Sequence, residues 1–466
     1  MNIKNTVITS TDSYKISHWN QYPEDAEATR YYIESRGGVY NEVVQAGINH
    51  MVSILSKPVT YQDVENAKIL FESHFGKDIF NYEMWMEIAK LGKIPVTVEA
   101  IPEGTVVPVK NGVAYLTTYG KYLSLAGHLE TIALRSIWYP STVATRSREC
   151  KKVLKQFLSM TSDLSGSDFD MVLNTRLHDF GARGASSSET AQIGGLAHLY
   201  NFIGTDTVES LIFACELLGY ESAAGISIPA REHGTVISYG KENEDEAYKN
   251  SITLFGDGMY SIVYDSYDYK KAVSRIAEYK DLVTEKGGVL VIRPDSGDMI
   301  DNIIYTLNQA GKIFGYTVNS KGYKVLNKHV RIIQGDEIHG ADTIARVLSW
   351  METNKWGSEN IAFGMGGGLL QCVDRDTQKY AMKMCAIKRS GVWHGVFKCP
   401  AGSEWKKSKS GYLQTITNGI DYRTIDLITE SVPDGWVHAT KTYMITGDVM
   451  RKDTLDAIRS RVNVNL

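Results

Sequence analysis

The chain has 466 residues, a formal net charge of −4, 43% hydrophobic residues and 22% charged residues. This composition is typical of a globular protein large enough for two domains, and it excludes disordered and fibrous chains. The charge gives no general attraction to nucleic acid or to an anionic membrane, so neither is expected as a partner and any phosphate site must be built locally. Five cysteines without a C-x-x-C pair, and the lack of a signal-like or membrane-spanning apolar stretch, predict a soluble, cytoplasmic protein without disulfides.

The first third of the chain predicts both helices and antiparallel strands. Apolar residues at helical spacing predict a helix from Thr60 to Phe75, with Gly76 as its stop signal. From residue 94 to residue 118, β-branched residues alternate with polar ones around the turn PEGT, which predicts a small antiparallel sheet. Residues 141–158 predict a long basic helix.

From about residue 176 to residue 371 the chain repeats an apolar strand, a polar or glycine-rich loop and a helical pattern. The strand and loop pairs are GISIP with AREHGT, YSIVY with DSYD, GGVLVI with RPDSGD, VRII with QGDE, and NIAF with GMGGG. Alternation of this kind predicts a parallel sheet. Polar residues at so many strand ends favour an α/β barrel over an open sheet.

The segment IRPDSGD, residues 292–298, is the strongest candidate site. The planar fork of Arg293 suits phosphate or a carboxamide oxygen, and Asp295 can hold a ribose hydroxyl or a magnesium ion. Gly297 lets the backbone approach a ligand. A strand-terminal turn with a surface ion pair would account for the same residues.

A glycine run in FGMGGGLLQ, residues 363–371, lies between a predicted strand and a helix start. Backbone N–H groups and the helix dipole can surround a phosphate there. Gly366 and Gly367 are the candidate contacts, and Gly335 and Asp336 end the neighbouring strand. The alternative is a flexible loop.

Three further strand ends carry candidate ligand contacts. In LHDFGARG, Phe180 would stack on a flat heterocycle and Arg183 would meet its phosphate, although core packing is the ordinary role for such a ring. Asp206 in GTDTV and His233 in REHGT follow other predicted strands. Each of these two would, alone, be an ordinary cap or turn residue.

Basic residues outside the predicted barrel form another candidate site. Lysines on a solvated face are the usual explanation, but a polyphosphate substrate needs several such charges. The residues are Arg36, Arg375, Lys383, Lys398 and Lys406.

These motifs together resemble the nicotinamide phosphoribosyltransferase family. TDSYK, WYPSTVAT, LHDFGARG, GTDTV, REHGT, DSYD, IRPDSG, QGD and FGMGGGLLQ occur in the family's order, over nearly the whole chain. The resemblance implies an irregular, TIM-like α/β barrel over residues 151–378. It also implies a mixed α+β domain built from both chain ends, residues 1–150 and 379–466, in a head-to-tail homodimer with shared active sites.

The resemblance also implies roles for individual residues. Nicotinamide would lie between Phe180 and Tyr14 of the partner subunit, and Asp206 would accept the carboxamide NH₂. Arg183 and Arg293 would clamp the ligands. The ribose phosphate would be surrounded by Asp295, Gly335, Asp336, Gly366 and Gly367, and the basic residues would bind pyrophosphate or ATP phosphates.

In the implied reaction, the pyridine nitrogen of nicotinamide displaces pyrophosphate from phosphoribosyl pyrophosphate. Magnesium stabilises the departing charge, although the sequence assigns no metal ligands, and no general base is needed because the ring nitrogen carries no proton. His233 matches the histidine that ATP phosphorylates, and Asp265 would orient it. These two, with Arg293 and Asp295, are expected to carry the chemistry.

Some residues depart from the family pattern, and two other functions remain open. Ala381 and Ala182 replace a serine and an aromatic found in relatives, and GGVYNEV after Arg36 is shorter than in animal relatives. A nicotinate or quinolinate phosphoribosyltransferase would share the barrel, but Asp206 would repel a carboxylate. A non-catalytic phosphoribosyl-ligand sensor is disfavoured by intact His233, Arg293 and Asp295.

Overall fold

A computed structural model describes residues 4–402, 407–464 and 466 of the chain. It divides into two compact units. The first unit comprises the chain up to Thr145, Glu216–Tyr220 and the stretch that begins at Asp374; the second comprises Arg146–Cys215, Glu221–Val373 and Leu466. All five cysteines are free thiols. Within the described ranges, no helix has the length and hydropathy needed to cross a membrane.

The strands are numbered in chain order. They are β1 (Ala26–Ser35), β2 (Glu42–Val44), β3 (Thr97–Ala100), β4 (Val106–Pro108), β5 (Gly112–Tyr119), β6 (Leu177–Asp179), β7 (Gly204–Thr205), β8 (Ala230–Arg231), β9 (Met259–Val263), β10 (Val289–Arg293), β11 (Tyr316–Val318), β12 (Lys324–Leu326), β13 (Val330–Gln334), β14 (Ile361–Met365), β15 (Tyr380–Arg389), β16 (Val392–Gly395), β17 (Leu413–Thr417), β18 (Tyr422–Asp426), β19 (Val437–His438), β20 (Lys441–Ile445) and β21 (Asp448–Val449).

The α-helices are numbered in the same way. They are α1 (Ile48–Leu55), α2 (Tyr61–Phe75), α3 (Tyr82–Leu91), α4 (Leu125–His128), α5 (Glu130–Thr161), α6 (Gly166–Asn174), α7 (Ser188–His198), α8 (Val208–Leu218), α9 (His233–Ile237), α10 (Glu244–Phe255), α11 (Tyr269–Arg275), α12 (Lys280–Lys286), α13 (Met299–Phe314), α14 (Ala341–Thr353), α15 (Gly367–Leu370) and α16 (Leu455–Val462). Short 3₁₀ helices span Ser13–Asn20, Gly120–Tyr122, Ala182–Gly184, Lys241–Asn243, Ile276–Tyr279, Ser358–Asn360 and Arg375–Thr377.

The first unit is built on a mainly antiparallel sheet in the order β16-β15-β1-β5-β3-β20-β21. Strands from both ends of the chain are neighbours in it, since β1 pairs with β15 and β3 pairs with β20. Helices α1, α2 and α3 contribute buried apolar residues to the same core as the sheet, including Met51, Phe71 and Trp85. The predicted antiparallel strands between residues 94 and 118 are confirmed, because β3 pairs with β5 in antiparallel register.

The predicted helix after Thr60 is also confirmed. The Thr60 hydroxyl accepts a hydrogen bond from the Asp63 backbone N–H, and the Asp63 carboxylate accepts one from the Thr60 backbone N–H, which is a capping box. Gly76 ends α2 with φ 68°, a backbone conformation that glycine adopts without strain. Here local sequence signals alone fix both ends of the element.

The second unit is built on a parallel sheet in the order β7-β6-β14-β13-β10-β9-β8. The six strand pairings of this sheet are all parallel, so the prediction from alternating strands and helices is confirmed. A single parallel bridge joins Gly204 in β7 to Ile226, four residues before β8. The segment 226–231 therefore contacts β7 at one edge of the sheet and includes β8 at the other.

Two predicted boundaries were wrong, and proline explains both. The strand predicted over GISIP forms instead at Ala230–Arg231, because Pro229 has no N–H to donate to a ladder and contributes only its carbonyl, to Ser261. Helix α5 begins well before residue 141 and contains Pro140. Gly47 packs against this turn of the helix: a Cβ at Gly47 would lie 1.8 Å from the Ser136 carbonyl oxygen and 2.8 Å from Pro140 Cγ.

Candidate active site

A cavity of about 540 Å³ lies at the carboxyl ends of the parallel strands in the second unit. The loops after β6, β7, β8, β10, β13 and β14 all contribute to its wall, as expected for ligand sites of parallel α/β sheets. It brings together most of the residues singled out from the predicted strand ends between residues 176 and 371. These are Phe180, Arg183, Asp206, His233, Arg293, Asp295, Gly335, Asp336, Gly366 and Gly367.

An aromatic ring and a cation are held side by side in this cavity. The guanidinium carbon of Arg293 lies 5.6 Å from the centre of the Phe180 ring. Arg293 also donates through Nε and Nη2 to Asp295 Oδ1, at 3.1 Å and 2.7 Å. Gly335 packs against all three side chains, since a Cβ there would lie 3.4–3.5 Å from each of them. The ring can stack a flat ligand while the cation meets an oxygen.

The position of Phe180 depends on the neighbouring strand. Its backbone N–H donates to the Met365 carbonyl at 3.0 Å, which continues the pairing of β6 with β14. Its ring lies directly over Gly364, where a Cβ would be 2.1 Å from Cε2 of the ring. Glycine at residue 364 is therefore required by this ring position.

Asp179 anchors the loop that carries Phe180. Its buried carboxylate accepts the Gly181 backbone N–H at 2.7 Å, and its carbonyl accepts the Asp206 N–H at 2.9 Å. Burial raises the pKa of Asp179 to about 6. His178, beside it, hydrogen-bonds the Thr175 carbonyl, and burial lowers its pKa. His178 is therefore a neutral histidine that holds the local structure.

Asp206 is held by a residue that the sequence reasoning missed. Ser227 donates its hydroxyl to Asp206 Oδ1, and it belongs to the segment that bridges β7. Ser227 is the polar residue inside the apolar run GISIP, and that polarity was the available signal. The bond fixes one carboxylate oxygen and leaves the other for a ligand.

The glycine run forms a turn into the short helix α15, which begins at Gly367. A second missed residue, Arg146, joins this turn to the loop after β13. It donates to the Cys372 carbonyl at 2.9 Å and to the His339 carbonyl. Arg183, exposed on a 3₁₀ turn, lines the same cavity.

His233 and Asp265 form a hydrogen-bonded pair at the next strand ends. His233 Nε2 lies 2.8 Å from Asp265 Oδ1, with the imidazole 45% exposed and the carboxylate 2% exposed. The parallel pairing of β8 with β9, with Arg231 opposite Ile262, places the two loops side by side. With Nε2 occupied by Asp265, Nδ1 is the ring nitrogen available to a reaction partner.

The predicted basic residues of the first unit line a separate cavity of about 850 Å³. It contains Arg36, Arg375, Lys383 and Lys398, together with Lys110, Lys379, Lys407 and Lys409. Burial lowers the pKa of Lys383, and the charges of Arg36 and Lys398 lower it further, while Glu130 opposes them. This concentration of positive charge suits a polyphosphate.

Four further residues named in the sequence analysis are Tyr14, Ala182, Ala381 and Lys406. Tyr14 lies in the first unit, on the 3₁₀ helix Ser13–Asn20, with its side chain 59% exposed. Lys406 lies outside the described residues. Ala182 lines the second-unit cavity and Ala381 the basic one, where they offer no hydroxyl or ring. In the described part of the chain, no three His, Cys, Asp or Glu side chains are grouped to hold a metal.

Comparisons with known proteins agree over the whole chain. A model of the nicotinate phosphoribosyltransferase family matches residues 175–430, and a model of the nicotinamide phosphoribosyltransferase N-terminal domain matches residues 6–98. The chain is 39% identical over 475 residues to nicotinamide phosphoribosyltransferase from Xanthomonas campestris pv. campestris, covering 99% of both. The enzyme of the same name from Acinetobacter baylyi is 28% identical over 506 residues, with 99% of this chain and 98% of that one covered.

Solved structures share the fold at low identity. Nicotinate-nucleotide pyrophosphorylase from Pyrococcus furiosus superposes with a TM-score of 0.65 at 16% identity, covering 99% of this chain and 96% of that one. Human nicotinic acid phosphoribosyltransferase gives 0.57 at 16% identity, with 97% and 93% covered.

Proposed function

Because the chain belongs to the nicotinamide phosphoribosyltransferase family, we propose that it joins nicotinamide to the ribose of phosphoribosyl pyrophosphate in the second-unit cavity. This reaction is a pentosyl transfer of NAD salvage. One observation carries the proposal: the Phe180 ring and the Arg293 guanidinium, 5.6 Å apart, share a cavity wall with Asp206 and the glycine turn. The ring stacks the pyridine, the carboxylate accepts the amide NH₂, and the turn takes the phosphate. A cavity of about 540 Å³ suits ligands of this size.

The reaction forms a bond from the pyridine nitrogen to the anomeric carbon and breaks the bond from that carbon to pyrophosphate. The ring nitrogen carries no proton, so the site needs positioning and charge stabilisation more than a base. Arg293 and the backbone N–H groups at Gly366 and Gly367 serve the phosphates. Magnesium would neutralise pyrophosphate charge, and Asp295 and Asp336, whose carboxylates line this cavity, would hold it.

Asp206 supports nicotinamide over nicotinate as the substrate. A carboxylate held by Ser227 accepts a hydrogen bond from an amide, whereas it repels the carboxylate of nicotinate. The segment that carries Ser227 also contacts β7 through Ile226, which supports closure of the parallel sheet into an irregular barrel around this site.

His233 is the proposed acceptor of the ATP γ-phosphoryl group. The lone pair of its Nδ1 would form a bond to the γ-phosphorus as the bond to the ADP oxygen breaks, and water would later release phosphate from the histidine. Asp265, which is hydrogen-bonded to Nε2, would stabilise the positive charge that develops on the imidazole. ATP hydrolysis would thereby drive synthesis.

A homodimer with shared sites completes the proposal. The exposed Tyr14 ring would cover the face of nicotinamide opposite Phe180 of the partner subunit. The basic cavity around Arg36 and Lys383 would bind pyrophosphate or ATP phosphates.

The direct test is incubation with phosphoribosyl pyrophosphate, magnesium and either nicotinamide or nicotinate, with and without ATP, followed by product identification. We expect nicotinamide mononucleotide, formed in greater yield with ATP. Equal use of nicotinate, or no product, would contradict the proposal.

The coupling is tested separately by His233→Ala. We expect loss of ATP hydrolysis and of ATP stimulation, with part of the basal transfer retained because the nicotinamide and phosphate contacts remain. A histidine that only stabilised its turn would give a lower melting temperature with coupling intact. A stable variant that still hydrolyses ATP would exclude His233 as the acceptor.

A further inference from the structure

Arg231 immediately precedes the loop that carries His233. It is the second residue of β8, opposite Ile262 in β9, and it lies two residues before His233. Its side chain lines a small cavity of about 150 Å³ behind the strand, apart from the candidate active site.

Each guanidinium nitrogen of Arg231 donates a hydrogen bond. Nη1 donates to the Thr235 carbonyl at 2.7 Å, Nη2 to Asn250 Oδ1 at 2.8 Å and Nε to Ser251 Oγ at 2.5 Å. The Tyr239 ring lies 5.5 Å from the guanidinium carbon. One side chain thus joins β8, the middle of α9 and helix α10.

The helix that carries His233 is short and buries one residue. Helix α9 has only five residues, too short to be stable by itself. Val236 is its buried residue, whereas Ile237 is 51% exposed. The bonds from Arg231 start before His233 and end after it, so they restrain the backbone on both sides of the imidazole.

We propose that Arg231 is a positioning residue for phosphoryl transfer to His233: it holds the α9 turn so that Nε2 stays on Asp265 and Nδ1 stays free for the phosphoryl group. The proposal rests on the function proposed above. It assigns Arg231 no contact with nicotinamide or with the ribose phosphate. Arg231 therefore acts on the ATP-dependent step and leaves basal transfer unchanged.

The test compares Arg231→Ala, Arg231→Lys and Arg275→Ala in the full-length protein. Arg275 is the matched control, because it pairs with Glu244 and Asp245 at the other end of α10 and, among the described residues, makes no hydrogen bond or ion pair with α9. The readouts are the single-turnover rate of acid-labile phosphate incorporation from γ-labelled ATP, the ³¹P signal of the phosphohistidine, ATP-free synthesis and the melting temperature.

We expect Arg231→Ala to slow phosphate incorporation by about tenfold or more, since a misplaced nucleophile costs on the order of a hundredfold per ångström. ATP-free synthesis should stay within about twofold, since the transition-state contacts of the transfer step are unchanged. Arg231→Lys keeps the charge but replaces the planar fork with a single ammonium, so it should be intermediate. Guanidinium ion at a concentration too low to unfold the protein should restore part of the Arg231→Ala rate. Arg275→Ala should phosphorylate at the wild-type rate even if it melts earlier.

The outcomes separate the two proposals. If wild-type protein takes up no phosphate on His233, the coupling itself is wrong, and this inference with it. If wild-type protein is labelled and folded Arg231→Ala is labelled equally fast, only the role of Arg231 is overturned. If Arg231→Ala does not fold, a wild-type rate of phosphate incorporation in Arg231→Lys would overturn the role of Arg231.

Discussion

Gly364→Ala should displace the Phe180 ring without altering any polar group of the site. Gly364 lies in β14, in extended backbone that alanine adopts without strain. The added Cβ would lie 2.1 Å from Cε2, 2.2 Å from Cδ2 and 2.9 Å from Cζ of the ring. The perturbation is therefore purely steric and falls on one side chain.

The size of the effect follows from these distances. Non-bonded carbons are most stable about 3.5–4.0 Å apart, so the ring or the strand must move by roughly 1.5 Å. Overpacking of this kind typically costs about 1–3 kcal/mol of stability. A shift of 1 Å at a reacting centre can cost about a hundredfold in rate. We therefore expect kcat/KM for nicotinamide to fall by about 10–100-fold.

Steady-state kinetics with nicotinamide, together with urea unfolding, measure both effects. Gly258→Ala is the matched control, because a Cβ there meets only the Phe255 carbonyl oxygen, at 4.0 Å. In a Phe180→Ala background, Gly364→Ala should cost much less stability, since the clash is gone. Wild-type kinetics and stability in Gly364→Ala, or equal costs with and without the ring, would refute this reasoning.

Three further predictions concern specificity, assembly and pH. Asp206→Asn should weaken the preference for nicotinamide over nicotinate, because it removes a charge that repels a carboxylate; unchanged kcat/KM ratios would contradict this. Mixed Tyr14→Ala and Phe180→Ala chains should regain activity on subunit exchange, since a heterodimer would restore one complete site; exchange without recovery would exclude sharing. In the native state the pKa of the Asp179 carboxyl is about 6, against its ordinary value of 3.8, so Asp179 keeps its proton up to about pH 6. Stability should therefore fall as pH rises between these values, by up to about 3 kcal/mol, and urea unfolding of Asp179→Asn should show a flatter profile.

Much of the fold could be predicted because the signals are local. The cap at Thr60, the stop at Gly76 and the strand periods each depend on residues a few positions apart. The family membership could also be predicted, because the motifs keep their order along the chain. Two prolines misled the prediction. Helix α5 accommodates Pro140 in its interior, so it begins earlier than predicted. Pro229 does not fit a paired strand, so the strand forms after it, at Ala230–Arg231.

The contacts that orient the site could not be predicted in the same way. Ser227 reaches Asp206 across 21 residues, and Arg146 reaches the His339 and Cys372 carbonyls across still longer separations. Each of these depends on strand order and register, which periodicity does not encode. Motifs therefore identified residues that line the cavity, but not the residues that hold them in place.

The strand order also separates the residues assigned above to the two proposed steps. The Phe180 ring, Arg293 and Gly335 lie on β6, β10 and β13 or directly after them, whereas His233 and Asp265 follow the edge pair β8 and β9. The Phe180 ring packs against Gly364, whereas the turn that carries His233 is held by the hydrogen bond from Arg231 to the Thr235 carbonyl. Because the two groups have different supports, Gly364→Ala should impair transfer with or without ATP, and Arg231→Ala should impair only the ATP-dependent gain. Two variants that lost both activities in the same proportion would show instead that the strand ends respond as one unit.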